Sequence, residues 1–152
     1  MTHIAYIALT PNGAEIAQKL KSHFGGQIIS KSGKLLEADI FVDNIKVKIA
    51  ELFSQKTVII GICSMAILTR SIAPKLQNKH DEPPVIAIDD KASHIIPLVG
   101  GHSQASTLGS GVDIALKCAN ILGAKAVITT AGDQHFGISL DTPPSGYTLT
   151  NP

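Results

Sequence analysis

Short apolar runs alternate along the chain with stretches whose apolar residues recur every three or four positions. The runs have the length and composition of strands, and the stretches have the periodicity of amphipathic helices. Strand-like runs cover residues 4–9, 27–30, 39–42, 57–61, 84–89, 94–98 and 126–130. This alternation is typical of an α/β domain. We therefore predict a three-layer Rossmann or flavodoxin-like fold, with a mostly parallel sheet of about five strands and helices on both faces.

Turn and capping residues predict where the helices begin and end. Four helices are predicted: over 12–24, from a cap at Asp43 or Asn44 to about Ser54, from Ser64 to Pro74, and over 114–122. Glycine pairs or single glycines follow the first and last of them, as is common after helices. The regular pattern ends near residue 135, so we predict one domain over 1–135 and an irregular tail over 136–152.

Composition excludes several classes of protein. The 152 residues carry a net charge of +1 and only 4% aromatic residues, which argues against nucleic-acid binding. No apolar run approaches the roughly 18 residues of a membrane span, and the N-terminus does not resemble a signal peptide. The two cysteines lie far apart in apolar surroundings, which indicates reduced thiols. A cytoplasmic protein that contacts neither membrane nor nucleic acid is expected.

The ends of the predicted strands carry small residues and hydroxyls. In open α/β sheets, ligands bind beyond the carboxyl ends of the strands, where glycines and helix N-termini favour close approach and anions. We predict that five such segments meet at one sheet edge: Thr10-Pro11-Asn12-Gly13, Gly61 to Ser64, Asp89-Asp90, Gly100-Gly101-His102, and Thr129 to Asp133. Of these, Thr10, Asn12, Gly61 and Ser64 are candidate ligand-binding residues.

Two of these segments hold groups with acid–base or anion-binding chemistry. His102 could act as a general acid or base, or it could be a loop histidine bonded to a backbone carbonyl. Asp133 could orient that histidine or cap the following turn. Thr129 and Thr130 could bind ligand carboxylates, or they could be ordinary β-branched strand residues.

Other candidates lie outside the strand ends. Arg70 is the only arginine and could hold a carboxylate in a bidentate fork, or it could lie on a solvated helix face. Lys79 lies in a short charged loop, for which an exposed turn is the simpler interpretation. A nucleophilic Cys63 or Ser64 is disfavoured because Met65 stands where a nucleophile elbow has its second glycine. Phosphate-loop and dinucleotide motifs are missing, and the histidines lack metal-site spacing, so no metal site is predicted.

Together these segments resemble, in order, the N-terminal domain of the cobalt-precorrin-5A hydrolase family of cobalamin biosynthesis. The similar segments are Thr10 to Gly13, Gly61 to Pro74, Lys79 with Pro83-Pro84-Val85, Pro97 to His102, Leu122-Gly123-Ala124, and Val127 to Asp133. The tail, with Phe136-Gly137, Asp141 and Pro143-Pro144, is similar to the form fused to precorrin-3B methyltransferase. The resemblance covers nearly the whole chain, and the tail would then lead toward a following domain.

The resemblance implies hydrolytic opening of the ring-A δ-lactone of a cobalt-corrinoid, with release of acetaldehyde. On that reading, His102 is the candidate base and Asp133 its partner. The Gly100-Gly101 backbone would supply oxyanion donors, and Arg70 and Lys79 would bind substrate carboxylates. No cofactor of its own is implied, because cobalt arrives within the corrinoid, a modified tetrapyrrole.

One segment departs from the family pattern. The family follows Gly-His with a short Gly-Ala-Asn run, whereas here a longer segment, Ser103 to Gly111, takes its place. This departure favours an alternative: a non-catalytic corrinoid-binding or docking module that works with a methyltransferase domain or subunit.

Overall fold

The computed structural model describes residues 3–35, 37–79, 81–101, 103 and 106–130. Seven strands and four α-helices lie within these residues. In chain order they are β1 (Ile4–Ala8), α1 (Pro11–Phe24), β2 (Gln27–Lys31), β3 (Ile40–Val42), α2 (Ile45–Ser54), β4 (Val58–Ile62), α3 (Met65–Ile72), β5 (Val85–Ile88), β6 (His94–Val99), α4 (Gly111–Leu122) and β7 (Lys125–Ala126). A 3₁₀ turn, Ala73–Lys75, follows α3.

The strands form one sheet in the order β3-β2-β1-β4-β5-β6-β7. The first five strands of that order are mutually parallel. β6 runs antiparallel to β5, and β7 is parallel to β6. The mostly parallel sheet predicted from the sequence is confirmed.

Helices cover both faces of the sheet, so the predicted three layers are present. One core cluster joins alternate residues of β1, β4 and β5 to α1 and α4, with Tyr6 and Ile60 fully buried. The other cluster joins the intervening strand residues to α2 and α3, with Ile7 and Ile59 fully buried. Because successive strand residues point to opposite faces, a continuous apolar run such as Val58–Ile62 serves both cores at once.

The sheet order creates a switch point between β1 and β4. The chain moves from β1 outward through β2 to β3, and α2 then returns it to β4 on the other side of β1. Right-handed crossovers in opposite directions lie on opposite faces, which matches α1 on one face and α2 on the other. Ligand sites of open α/β sheets lie at such a point, beyond the carboxyl ends of the strands.

The predicted helix ends agree with the structure. Thr10 caps α1, Asn44 caps α2, and Gly123 ends α4 in a left-handed conformation with φ of 68°. Pro74 lies in the 3₁₀ turn directly after α3, where a regular helix stops. Within the described residues, no helix combines the length and hydropathy that crossing a membrane requires.

Three details of the predicted sheet are wrong. The described residues form seven strands, more than the five or so expected. The predicted final strand over 126–130 is a shorter strand, Lys125–Ala126, whose last bond to β6 is donated by the Val127 N–H to the Ile95 carbonyl at 2.8 Å. β6 is antiparallel to β5, since the residues that join them form a tight hairpin. The boundary predicted at residue 135 and the tail lie outside the described residues.

Candidate functional site

A cleft of about 780 Å³ opens at the switch point of the sheet. It lies beyond the carboxyl ends of β1, β2, β4 and β5 and beside the start of β6. Its polar lining residues are Thr10, Lys31, Lys34, Cys63, Ser64, Asp89, Asp90 and His94. Thr10 and Ser64 were predicted ligand-binding residues, and the structure brings them together here.

The rest of the cleft lining is apolar. It consists of Leu9, Ile45, Ile62, Met65, Ile67, Ala87, Ile88 and Ile96. Met65 is 47% exposed, which is high for a large apolar side chain at the start of a helix. An apolar floor with a polar rim is the arrangement of small-molecule sites that bind a largely apolar body and orient it by a few polar groups.

Thr10 links two strand ends across the cleft. Its Oγ1 accepts a hydrogen bond from the Gly13 N–H at 3.0 Å, which caps α1. The same hydroxyl donates to Oδ1 of Asp90, which follows β5. Space is tight at Gly13, because a Cβ there would lie 3.0 Å from Oγ1 of Thr10 and 3.3 Å from the Ile62 carbonyl oxygen at the end of β4. Thr10 therefore holds the ends of β1 and β5 on either side of β4.

Asp89 and His94 form the hairpin wall of the cleft. The Asp89 carboxylate accepts hydrogen bonds from the N–H groups of Lys91 and His94. Partial burial pushes the pKa of Asp89 up, but the backbone N–H groups of His94, Lys91 and Ser93 outweigh this and lower the pKa below its usual value. Asp89 is thus a fixed anion, and its Oδ1 lies 3.9 Å from Nδ1 of His94. This distance is that of an ion pair with a protonated imidazole and is longer than a hydrogen bond.

The turn from β4 into α3 forms a further wall. Ser64 occupies the N-cap of α3, is exposed, and makes no capping hydrogen bond with its side chain. Ser64 lines the cleft, and its hydroxyl is not used to cap α3. Burial raises the pKa of the neighbouring Cys63 thiol to about 11, so this cysteine is protonated at neutral pH and is a poor nucleophile. Cys118 is buried and also free.

Two lysines of the cleft were missed at the sequence level. Lys31 is the last residue of β2, and Lys34 lies in the turn that follows. The carboxyl end of β2 is a strand end like the others, and Ser30, Ser32 and Gly33 supply there the same hydroxyls and glycine that mark the predicted segments, so the signal was present and was missed. The lysines reach the same cleft because β2 is parallel to β1.

Two further predicted binding residues lie near this edge, but neither is a lining residue. Asn12 is exposed in the first turn of α1. Gly61 is buried within β4, and a Cβ at this position would lie 2.6 Å from Cδ1 of Leu68. The absence of a side chain at Gly61 therefore serves the close packing of α3 on the sheet.

The predicted meeting of all five segments at one edge is wrong. β6 ends opposite the start of β5, so Gly100 and Gly101 lie at the opposite edge from the cleft. Gly100 has φ of 68°, and a Cβ added there would lie only 2.8 Å from the backbone of Pro83 and Pro84. Lys79, in the loop that leads to β5, belongs to this edge too. Gly100 and Gly101 lie away from the cleft because β6 runs antiparallel to β5.

The start of α4 is joined to these two glycines. The Gly111 N–H donates to the Gly100 carbonyl at 2.9 Å, and the Val112 N–H donates to the Gly101 carbonyl at 3.2 Å. Ser110 and Asp113 satisfy each other's backbone N–H groups in a capping box. The first donors of α4 are therefore engaged within the chain.

The remaining predicted site residues are placed as follows. Arg70 is exposed in the last turn of α3, where a cation interacts favourably with the helix dipole, and it is not a cleft residue. Thr129 and Thr130 follow β7, which runs parallel to β6 and so away from the cleft. His102 and Asp133, the predicted catalytic pair, lie outside the described residues. No group of three or more potential metal ligands forms within the described part of the chain.

Fold and cleft together define a doubly wound α/β domain with an apolar-floored cleft at its switch point. The family model described as "Cobalamin synthesis G N-terminal" matches residues 48–133, more than half of the chain. The chain belongs to this family, which confirms the resemblance seen in the sequence.

Two curated relatives are similar to most of the chain. Cobalt-precorrin-5A hydrolase of Priestia megaterium is 31% identical over 144 residues, which are 90% of this chain and 37% of the relative. The enzyme of the same name from Salmonella typhimurium is 31% identical over 144 residues, 91% of this chain and 38% of the relative. The chain thus spans little more than a third of their length.

A solved structure shares the fold. It is described as a cobalamin biosynthesis protein G homolog from Sulfolobus solfataricus, and it superposes with a TM-score of 0.58 at 24% identity. The match covers 84% of this chain and 36% of that one.

Proposed function

We propose that this chain acts in cobalamin biosynthesis as the N-terminal domain of a cobalt-precorrin-5A hydrolase, and that it takes part in opening the ring-A δ-lactone of its corrinoid substrate. The observation that carries the proposal is the 31% identity to two enzymes of that name over nine-tenths of the chain. The cleft at the switch point supports it, because an apolar floor beside the exposed Met65 suits the face of a macrocycle.

The proposed chemistry needs a base and donors for an oxyanion. A water oxygen bonds to the lactone carbonyl carbon while its proton passes to a base, and the ring ester C–O bond then breaks, leaving a carboxylic acid and a hydroxyl. Acetaldehyde leaves in a second step, in which the hydroxyl gives its proton to a base and becomes the aldehyde C=O while its carbon–carbon bond to the macrocycle breaks. The macrocycle carbon keeps the electron pair of that bond. We assign the base to His94, an imidazole that lines the cleft with its Nδ1 3.9 Å from Oδ1 of Asp89. The Ser64 hydroxyl is the proposed oxyanion donor from the α3 side of the cleft.

The sequence-level assignment of His102 as base, with Asp133 as partner, stays a prediction. The neighbouring Gly100 and Gly101 lie at the opposite edge of the sheet, which favours His94 as the group that reaches a substrate in the cleft. Removal of a positioned general base lowers rates by about 10²–10⁴-fold.

An assay of acetaldehyde release tests the proposal and the choice of base. The corrinoid lactone is incubated with wild type, with His94→Gln, and with His102→Gln. We expect release by the wild type, a loss of about 100-fold in His94→Gln, and a rate near wild type in His102→Gln. His23→Gln is the matched control, since His23 is exposed on α1 and is not a cleft residue. If His102→Gln loses acetaldehyde release and His94→Gln keeps it, the base is His102.

A second candidate is a corrinoid-binding or docking module without catalysis. It is favoured by the segment Ser103 to Gly111, which replaces the short Gly-Ala-Asn run that the family has after Gly-His. Corrinoid binding by the wild type without any acetaldehyde release would identify this second function.

The surroundings of the reaction are also part of the proposal. We propose that the domain has no cofactor of its own and that cobalt enters only as part of the corrinoid. Its partner is a methyltransferase domain or subunit, and it works in the cytoplasm. Copurification of a precorrin methyltransferase with the chain from its native host would test the partner.

A further inference from the structure

The two cleft lysines are the ends of one fixed turn. The Lys34 N–H donates to the Lys31 carbonyl at 3.0 Å, and Gly33 between them has φ of 77°, the left-handed value that a tight turn requires. Ser32 anchors this turn, because its N–H donates to the Val42 carbonyl at 2.9 Å and its hydroxyl donates to Asp43, also at 2.9 Å. The turn is held at both β2 and β3, so the lysines start from a defined position.

Neither ammonium group has an anionic partner among the described residues. Lys21 pairs with Asp39, and Lys48 pairs with Glu51, so other lysines of the chain are neutralised locally. The carboxylates that line the same cleft are already engaged: Asp89 accepts backbone N–H groups, and Asp90 accepts the Thr10 hydroxyl. The rim therefore presents two ammonium groups that form no ion pair with a described carboxylate, above an apolar floor that they share with the Asp89 and Asp90 carboxylates.

Two cations beside an apolar floor suit a ligand that has an apolar body and carboxylates on its edge, because the apolar surfaces pack together and the charges are opposite. The lysine ammonium is a compact charge on a flexible side chain, so it can follow flexible carboxylate arms better than the planar guanidinium of an arginine can. The lone arginine cannot supply this contact, since Arg70 is not a cleft residue.

We propose that the Lys31–Lys34 turn is the carboxylate-binding subsite of the cleft and that it selects corrinoids with free acid arms over those with amidated arms. The inference rests on the proposed function and names the contact that orients its substrate. It assigns to Lys31 and Lys34 the role that the sequence had given to Arg70 and Lys79.

Equilibrium binding tests the subsite with two probes: a corrinoid whose peripheral arms are carboxylates and one whose arms are all amides. Wild type is compared with Lys31→Gln, Lys34→Gln and the double variant. Because both lysines are exposed, we expect each single change to weaken binding of the acid corrinoid about threefold and the double change about tenfold. Binding of the amide corrinoid should change less than twofold, and the salt dependence of acid-corrinoid binding should be lower in the double variant.

Lys19→Gln is the matched control, since Lys19 is exposed on α1 and is not a cleft residue. If the acid corrinoid binds the wild type but the double variant binds it as tightly as Lys19→Gln does, the subsite is wrong and the proposed function stands. If neither corrinoid binds the wild type, both the subsite and the corrinoid function are wrong. Equal losses for the acid and amide probes would indicate a general effect on the cleft and overturn the carboxylate role.

Discussion

At the scale of single residues, Gly61 shows how closely α3 approaches the sheet. A Cβ at this position would lie 2.6 and 2.7 Å from the two δ carbons of Leu68, a side chain that is itself fully buried. Real Cβ contacts are not that short, so either the helix or the leucine must move. We expect Gly61→Ala to lower the free energy of unfolding by about 1–3 kcal/mol, as overpacking of a core does. Urea unfolding followed by circular dichroism measures the change.

Gly101→Ala provides the control for this substitution. The nearest atom to an added Cβ at Gly101 is Cγ2 of Val112 at 3.8 Å, an ordinary contact, and the residue has no positive φ. Its free energy of unfolding should lie within about 0.5 kcal/mol of wild type. Equal destabilisation by the two alanines would contradict the packing role of Gly61.

Residue chemistry in the sequence predicted part of the site. Thr10 and Ser64 were found because hydroxyls at helix starts after buried strands are a local signal, and both line the cleft. Lys31 and Lys34 were missed although Ser30, Ser32 and Gly33 beside them carry the same kind of signal, and His94 was missed because it begins β6, whose direction was not predicted. Their meeting depends on strand order and direction, which only the folded sheet supplies.

At the scale of elements, Asp39 connects α1, β2 and the start of β3. Its carboxylate accepts the Ile28 N–H at 2.6 Å and the Lys21 ammonium at 2.7 Å. The hydrogen bond from Ile28, together with Lys21, holds the pKa of Asp39 below its usual 3.8. Because the folded-state pKa is depressed, this stabilisation is complete above pH 3.8 and is lost as the pH falls through the folded-state value.

We therefore expect Asp39→Ala to lower the free energy of unfolding by about 1 kcal/mol at pH 7, because a charge-assisted hydrogen bond and a half-exposed ion pair are removed. The difference from wild type should shrink as the pH is lowered below 3.8. Chemical unfolding over a pH series measures it, and Glu37→Ala is the control, since Glu37 is an exposed carboxylate nearby. A difference that does not depend on pH would contradict the ionic role of Asp39.

The direction of β6 is the element-level feature that sequence reasoning missed. Only residues 89–93 separate β5 from β6, and so few residues cannot carry the chain across a sheet to a parallel neighbour. The short connection was visible in the sequence and indicates a hairpin. Asp89 fixes that hairpin by accepting N–H groups from Lys91 and His94. The helices and the parallel strands were predictable because their caps and apolar periods are local.

At the scale of the whole molecule, the antiparallel strand β6 places the segments that resemble the family at two opposite edges of the sheet. Thr10 and Ser64 lie in the cleft, whereas Gly100 and Gly101 pack with Pro83 and Pro84 at the far edge. The far edge is internally bonded, since α4 donates to both glycine carbonyls. The cleft is lined by Lys31 and Lys34, which form no ion pair with a described carboxylate, and by the exposed Met65. A largely apolar lining with a few polar groups is typical of small-molecule sites.

Hydrogen exchange on the full chain can determine which edge binds the corrinoid. Backbone amides that a ligand covers or steadies exchange more slowly, and this readout needs no turnover. With saturating acid corrinoid, we expect slower exchange in residues 31–35 and 89–94, at the cleft, and no change at Asp81, Glu82 and residues 106–112, at the far edge. Residues 18–24 of α1 serve as the internal control, because they do not line the cleft. Slower exchange only at Asp81, Glu82 and residues 106–112 would move the binding site to the edge that carries Gly100 and Gly101. It would contradict the assignment of both His94 and the Lys31–Lys34 turn.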